Sequence, residues 1–137
     1  MREHFSPGKN IVYFSLEMPY EDCFNRFLSR LAGIPTRHIE NPKFMTKEEL
    51  VKMKTALGFI SKYPNQFKIV DVSDPSSNDL DAILEDCEED YDAIFVDYLG
   101  IMKTNEKTEQ EDWLKQGIIS YELRQIGRKR SKPLFSA

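Results

Sequence analysis

The sequence predicts an incomplete α/β fold, a three-layer arrangement around a parallel sheet of about four strands. Three observations carry this. Short apolar runs alternate with segments of helical period in the order β α α β α β α β, the pattern of parallel strands joined by right-handed crossovers. Two of the runs, Val12-Tyr13-Phe14-Ser15-Leu16 and Ala93-Ile94-Phe95-Val96, are nearly continuously apolar, as strands covered on both faces are. Each runs into an acid, Glu17 and Asp97. In open α/β sheets the carboxyl ends of the strands are where ligands bind.

Taken in order, residues 1–9 are polar, with Pro7-Gly8 as a turn signal. Gly8-Lys9 does not make a phosphate loop, because position 3 is Glu and position 10 is Asn where the pattern needs Gly and Ser or Thr. The first strand is expected over 10–16. Pro19 then opens a helix with Glu21 and Asp22 in its first turn, an apolar stripe of Cys23, Phe24, Phe27, Leu28 and Leu31, and Gly33 as its stop. Residues 34–45 read as an irregular connection containing Pro35 and Pro42. Within it His38, beside Arg37, reads as a surface residue rather than a pH switch.

Thr46 and Glu49 form a capping box. The helix it starts, 47–61, is expected to bury Leu50, Met53, Leu57 and Ile60. A second strand covers 67–72, and Asp74-Pro75-Ser76-Ser77-Asn78 makes a turn and a helix cap. The next helix turns Leu80, Ile83, Leu84 and Cys87 inward. Its acids Asp81, Glu85, Asp86, Glu88 and Glu89 read as a solvated face rather than a metal site. The third strand is 93–97, followed by a polar loop over 102–110. A long helix over about 110–129 carries Trp113, Leu114, Ile118, Tyr121 and Ile126 and ends basic. Trp113 reads as core rather than as a platform for stacking bases, which needs several exposed aromatics. Pro133-Leu134-Phe135-Ser136 begins a fourth strand. Opening at a turn and closing within a strand, residues 1–137 are expected to be part of a larger domain.

Composition narrows the function classes. With 40% hydrophobic and 31% charged residues the chain is ordinary for a globular protein. A net charge of -4 argues against a free-standing nucleic-acid binder, though not against contact through a local basic loop in an assembly. Cys23 and Cys87 are far apart in sequence and read as buried thiols of a cytosolic protein. No segment is apolar over 18 residues, so no membrane span is expected.

Acids at adjacent strand ends suit phosphate-anhydride chemistry. One carboxylate holds a hydrated magnesium ion, the other polarises an attacking water, and charge stabilisation is the main catalytic term. Polar residues also end strands for no chemical reason, so this spacing is weak by itself.

The wording of the two segments says more. Tyr13-Phe14-Ser15-Leu16-Glu17-Met18-Pro19 and Ile94-Phe95-Val96-Asp97-Tyr98-Leu99-Gly100-Ile101-Met102 resemble the strand-end motif and the Walker B segment of DnaB-type replicative helicases, hexameric RecA-fold motors of cellular or phage origin. The helix bearing Arg26 and Arg30, the Pro-containing connection, the strand ending near Asp71 and the incipient last strand fit as well. The resemblance implies a partial RecA-like (P-loop NTPase) ATPase domain of a bacterial or phage-infected cell. It implies ATP and Mg2+ as cofactors, single-stranded DNA and a homohexamer as partners of the intact protein, and unwinding of duplex DNA as its work. Glu17 would be the catalytic glutamate that orients water, Asp97 the Walker B carboxylate acting on magnesium through water, and both would face the nucleotide. The implied strand order is 67–72, 10–16, 93–97, 132–136, which sets the ends of the Glu17 and Asp97 strands side by side. The loop 102–110 would face the channel of the ring, where Lys103 and Lys107 would meet DNA phosphates without regard to sequence; the plainer reading is two solvated lysines.

The chain also departs from the family. Gly100 stands where a Gln commonly follows the Asp-Tyr-Leu segment. The Walker A segment, its strand, the sensor residues and the arginine finger are not among these residues. Without a phosphate loop two acids would repel ATP, so the chain alone is expected neither to bind ATP tightly nor to hydrolyse it. The last strand would be an open edge, which invites self-association. Three other readings stand beside this one: a recombinase or clock-type RecA-like ATPase, a noncatalytic module that docks on a helicase ring, and a flavodoxin-like binding domain with incidental acids.

Overall fold

The structure, a computed structural model, describes residues 8–87, 90–105 and 112–137. Four parallel strands form one sheet: β1 (Ile11–Ser15), β2 (Phe67–Asp71), β3 (Ala93–Asp97) and β4 (Leu134–Ser136), in the order β2-β1-β3-β4. This is the order implied by the family resemblance. The helices are α1 (Tyr20–Ala32), α2 (Thr36–Glu40), α3 (Lys47–Lys62), α4 (Ser77–Glu85) and α5 (Asp112–Arg130), with 3-10 turns at Pro42–Phe44 and Leu99–Ile101. The fold is a parallel α/β sheet with helices, as expected. It divides into two compact units, one made of the residues up to Met18 with Asn65–Ala137 and the other of Pro19–Pro64.

One face of the sheet carries the main buried cluster. Val12 and Phe14 of β1, Leu16 just past its end, and Ile94 and Val96 of β3 share a face by the two-residue period of a strand. They pack with Leu80 and Leu84 of α4 and Ile119, Leu123 and Ile126 of α5 into one buried cluster. All five residues of β1 are buried, as its continuous apolar run implies. Among the described residues β2 and β4 are the edge strands, and on β4 the Phe135 ring stacks on Phe95 at 4.9 Å between centroids. Gly127 of α5 lets the Lys132 backbone approach closely on the way into β4, since a Cβ there would lie 3.1 Å from the Lys132 carbonyl oxygen and the neighbour would have to give by a few tenths of an ångström.

On α5 the inward stripe differs from the expected one. Its buried positions are Ile119, Leu123, Ile126 and Gly127, while Trp113 is 68% and Tyr121 63% exposed. Of the residues expected to face the core only Ile126 is buried; Leu114 is exposed and Ile118 half-buried. Apolar residues ring this helix on several sides, so its sequence does not choose a face. The sheet chooses it. Trp113 is not core.

Of the acid run, Glu85 and Asp86 are exposed, as a solvated face requires, but Asp81 on α4 is half-buried and paired. Asp81 accepts hydrogen bonds from Lys129 Nζ at 2.7 Å and from Arg130 Nη2 at 2.6 Å and Nε at 2.9 Å. Burial works against its charge, but these bonds from Lys129 and Arg130 outweigh it and hold the Asp81 carboxyl below its ordinary range. A lowered carboxyl contributes stability above its unfolded pKa and loses it as pH falls through the folded value. Asp81→Asn is therefore expected to cost about 1 kcal/mol at pH 7, the size of a charged hydrogen bond after solvent screening. The difference from wild type should vanish in denaturation at acidic pH; a gap unchanged with pH would remove the electrostatic explanation. Glu88 and Glu89 lie outside the described residues. Cys87 is half-buried rather than fully buried, and Lys68 Nζ donates to its sulfur at 3.5 Å.

In the helical unit α1 ends at Gly33, whose φ of 68° is the left-handed conformation glycine adopts most cheaply. Cys23 and Leu28 are its buried stripe. The segment expected to be irregular contains the five-residue α2 and a 3-10 turn. Both are too short to show a helical period, and each has a proline at its start. The Thr46–Glu49 capping box forms as expected, with Glu49 N–H donating to Thr46 Oγ1 at 3.1 Å and Thr46 N–H to Glu49 Oε2 at 2.9 Å. The stripe of α3 runs through Met53, Ala56 and Ile60, of which Ala56 is fully buried. Leu50 and Leu57, expected inside, are exposed at its edge. His38 is not a plain surface residue: half-buried, its Nδ1 lies 2.9 Å from Glu49 Oε1. No described helix is long and apolar enough to cross a membrane.

Candidate nucleotide-hydrolysis site

Parallel pairing puts Ser15 opposite Asp97 and Asp71 opposite Ser15. The carboxyl ends of three neighbouring strands therefore meet on one edge of the sheet. The chain leaves β1 still bonded to β3, through Leu16 N–H to the Asp97 carbonyl at 2.9 Å. It then bends sharply. The buried Ser15 hydroxyl donates to the Met18 carbonyl at 2.6 Å, which closes the bend and leaves Glu17 at its apex. Glu17 is exposed, and among the described residues nothing bonds to its carboxylate. So the Ser-Leu-Glu-Met sequence has a local reason: the serine is spent on holding the turn, the leucine enters the core, and the glutamate is left facing solvent.

Asp97 is half-buried at the end of β3. Its Oδ2 accepts a hydrogen bond from Tyr13 Oη at 2.5 Å. Oδ1 accepts none from the described residues. Sequence reasoning misses Tyr13. The signal is its two-residue offset from Ser15, but a tyrosine in an apolar strand reads as packing.

Past Asp97 the chain passes through the 3-10 turn, where the Tyr98 ring lies over Gly100. A Cβ on Gly100 would come within 2.8 Å of Tyr98 Cε2. The glycine that departs from the family's Gln is thus the residue that lets this ring settle there. Lys103 follows, with its N–H donating to the Pro75 carbonyl at 2.9 Å, a bridge to Ser76, and its ammonium 3.3 Å from Asp74 Oδ2. Asn105 Nδ2 donates to Ser77 Oγ at 2.7 Å and to Glu122 Oε1 at 2.9 Å. The base of the expected channel loop is therefore tied down at the start of α4. Lys107 lies outside the described residues.

The donor set suits a hard cation. Magnesium prefers oxygen, keeps most of its waters and takes one or two carboxylates. The open Oδ1 of Asp97 and the solvent-facing carboxylate of Glu17 fit that demand. No group of three or more ligating side chains gathers among the described residues, so an all-protein metal cage is not what this edge offers. A groove of about 450 Å3 runs along α5 and β4, lined in part by Arg124, Arg128 and Leu134. Neither acid lines it, and it is not the site described here.

The family model of the DnaB-like helicase C-terminal domain matches residues 2–136. The chain belongs to this family. Two solved structures agree with its fold. One, described as the structure of a DnaB-like replicative helicase and its interactions with primase, superposes with a TM-score of 0.78 at 19% identity, over 93% of this chain and 31% of the other. The second, described as an ATPase domain, gives 0.79 at 19% identity, over 93% of this chain and 46% of the other. This chain thus spans less than half the length of either relative. No curated protein matches it in sequence. Membership excludes the flavodoxin-like reading.

Proposed function

We propose that this chain forms part of the ATP-hydrolysing motor of a replicative DNA helicase, residues 1–137 being one partial RecA-like ATPase domain. The observation that carries the reading is the pairing of Ser15 with Asp97, which brings the strand ends bearing Glu17 and Asp97 together on one edge of a sheet belonging to this family. Glu17, at the apex of its bend, orients and polarises the attacking water. Asp97 would hold hydrated magnesium through its carboxylate. When bound, the ion would supply neutralisation of negative charge on the reacting phosphates.

The 137 residues contain no G-x-x-x-x-G-K-[ST] sequence. The backbone cradle for the phosphates is accordingly assigned to other sequence, and the chain alone is proposed to be catalytically silent. In the intact motor, a homohexamer, Lys103 and Lys107 at the channel loop contact phosphates of single-stranded DNA. Lys103 would exchange its exposed pair with Asp74 for a DNA phosphate, a small cost because surface ion pairs contribute about 0–1 kcal/mol.

The test is ATP binding and hydrolysis by the protein in its native assembly, wild type against Glu17→Gln. Loss of a water-polarising group costs about 10²–10⁴ in rate, so hydrolysis should fall by that range while a fluorescent ATP analogue binds as before. Equal hydrolysis by both proteins would remove Glu17 from the chemistry. Absence of nucleotide binding by the native assembly would favour the noncatalytic docking module.

A further inference from the structure

We infer that Tyr13 is a positioning residue for the Asp97 carboxylate, and that this phenol sets how strongly the site holds its divalent cation. The inference rests on the reading of Asp97 as the magnesium-side acid. Tyr13 and Ser15 lie on the same face of β1, and Phe95 and Asp97 on the same face of β3, since strand side chains alternate. Tyr13 is opposite Phe95 and Ser15 opposite Asp97. The tyrosine therefore starts one two-residue step, about 7 Å, behind the acid. A phenol is long enough to cover that diagonal, and its hydroxyl arrives at Asp97 Oδ2 at 2.5 Å.

The direction of the bond is set by chemistry. An ionised carboxylate only accepts, so the phenol donates. A hydroxyl donating to a carboxylate makes the short, charge-assisted kind of hydrogen bond. The ring is also held: Tyr13 is 5% exposed and its ring sits 6.0 Å from that of Phe67. With only two side-chain torsions and both locked by packing, the hydroxyl is a fixed point. Oδ2 is pinned to it and the carboxylate cannot rotate freely. Among the described residues nothing bonds to Oδ1, which is the oxygen left open. A carboxylate held in one orientation loses less freedom when it binds a cation's water shell than one that must first be ordered.

Tyr13→Phe isolates this effect, because it keeps the ring and removes one oxygen. Phe67→Leu is the packing control, because it disturbs the same ring and leaves the hydroxyl. Both are compared with wild type in the native assembly by Mn2+ titration with electron paramagnetic resonance in the presence of nucleotide, and by the Mg2+ dependence of hydrolysis at saturating ATP. The expected result is Mn2+ affinity at least about fivefold weaker in Tyr13→Phe, the loss of one charge-assisted hydrogen bond that orders the carboxylate, with hydrolysis restored by excess Mg2+ and KM for ATP unchanged. Phe67→Leu should leave the affinity at the wild-type level. In an Asp97→Asn background Tyr13→Phe should add nothing further. Equal Mn2+ affinity for Tyr13→Phe and wild type overturns the inference while leaving the proposed function intact. Equal weakening by Phe67→Leu also overturns it, in favour of packing. A wild-type assembly that binds neither Mn2+ nor nucleotide overturns the functional reading and this inference together.

Discussion

Phe14→Ala is expected to destabilise the chain by about 3–5 kcal/mol, enough to bring a domain of ordinary stability, about 5–15 kcal/mol, close to unfolding. Phe14 is fully buried, with no exposed surface, in the strand that pairs on both sides, with β2 and with β3. Its ring belongs to the cluster that joins the sheet to α4 and α5. Removing it deletes the apolar transfer term and leaves a cavity that two strands and two helices cannot close by moving together, because each is tied to its own neighbours. Phe44→Ala is the matched comparison. Phe44 is 65% exposed, and its loss should stay within about 0.5 kcal/mol, as for surface substitutions generally. Urea denaturation of the full chain followed by circular dichroism measures both. Similar midpoints for the two variants would mean that the sheet core does not dominate stability.

Asp97→Asn should lower ATP hydrolysis by the native assembly at least about a hundredfold, since a metal-bound reaction depends on several kcal/mol of charge stabilisation and each ~1.36 kcal/mol is a factor of ten. The substitution is nearly isosteric. An amide oxygen still accepts from the Tyr13 hydroxyl, so the bond at Oδ2 survives and thermal stability should change little. On the proposed function, what is lost is the negative charge that would face the cation. Excess magnesium should recover little of the rate, unlike the variant lacking only the tyrosine hydroxyl. Single-turnover hydrolysis across a magnesium series distinguishes the two patterns. Hydrolysis at the wild-type rate would show that Asp97 ends a strand and does no more.

Much of this is legible in the residues. β1 and β3 are readable because strands covered on both faces need unbroken apolar runs, and each run is followed by an acid. The Thr46–Glu49 cap is readable because both of its hydrogen bonds lie within four residues. The apposition of the β1 and β3 ends is expected from the family resemblance and is present as the Ser15–Asp97 register. The helix faces are less legible. On α3 the true stripe is Met53, Ala56 and Ile60, and the leucines beside it attract the eye because they are larger. On α5 Trp113 and Tyr121 are the largest side chains that read as core, and both face solvent. Size says what a residue gains by burial; it does not say which side of a helix meets the sheet.

The sequence by itself determined the parallel α/β class, the strands, the caps and the two acids, and its motif wording pointed to the family. These are properties of short windows, where period, capping and turn chemistry act between residues close in the chain. Only the tertiary structure decided which face of each long helix is buried, that Asp81 is paired with Lys129 and Arg130, that His38 meets Glu49, and that Tyr13 reaches Asp97. Tyr13 and Asp97 are 84 positions apart. A contact of that kind exists only once parallel pairing has set the register between strands, and a shift of one residue would turn the phenol to the opposite face of the sheet.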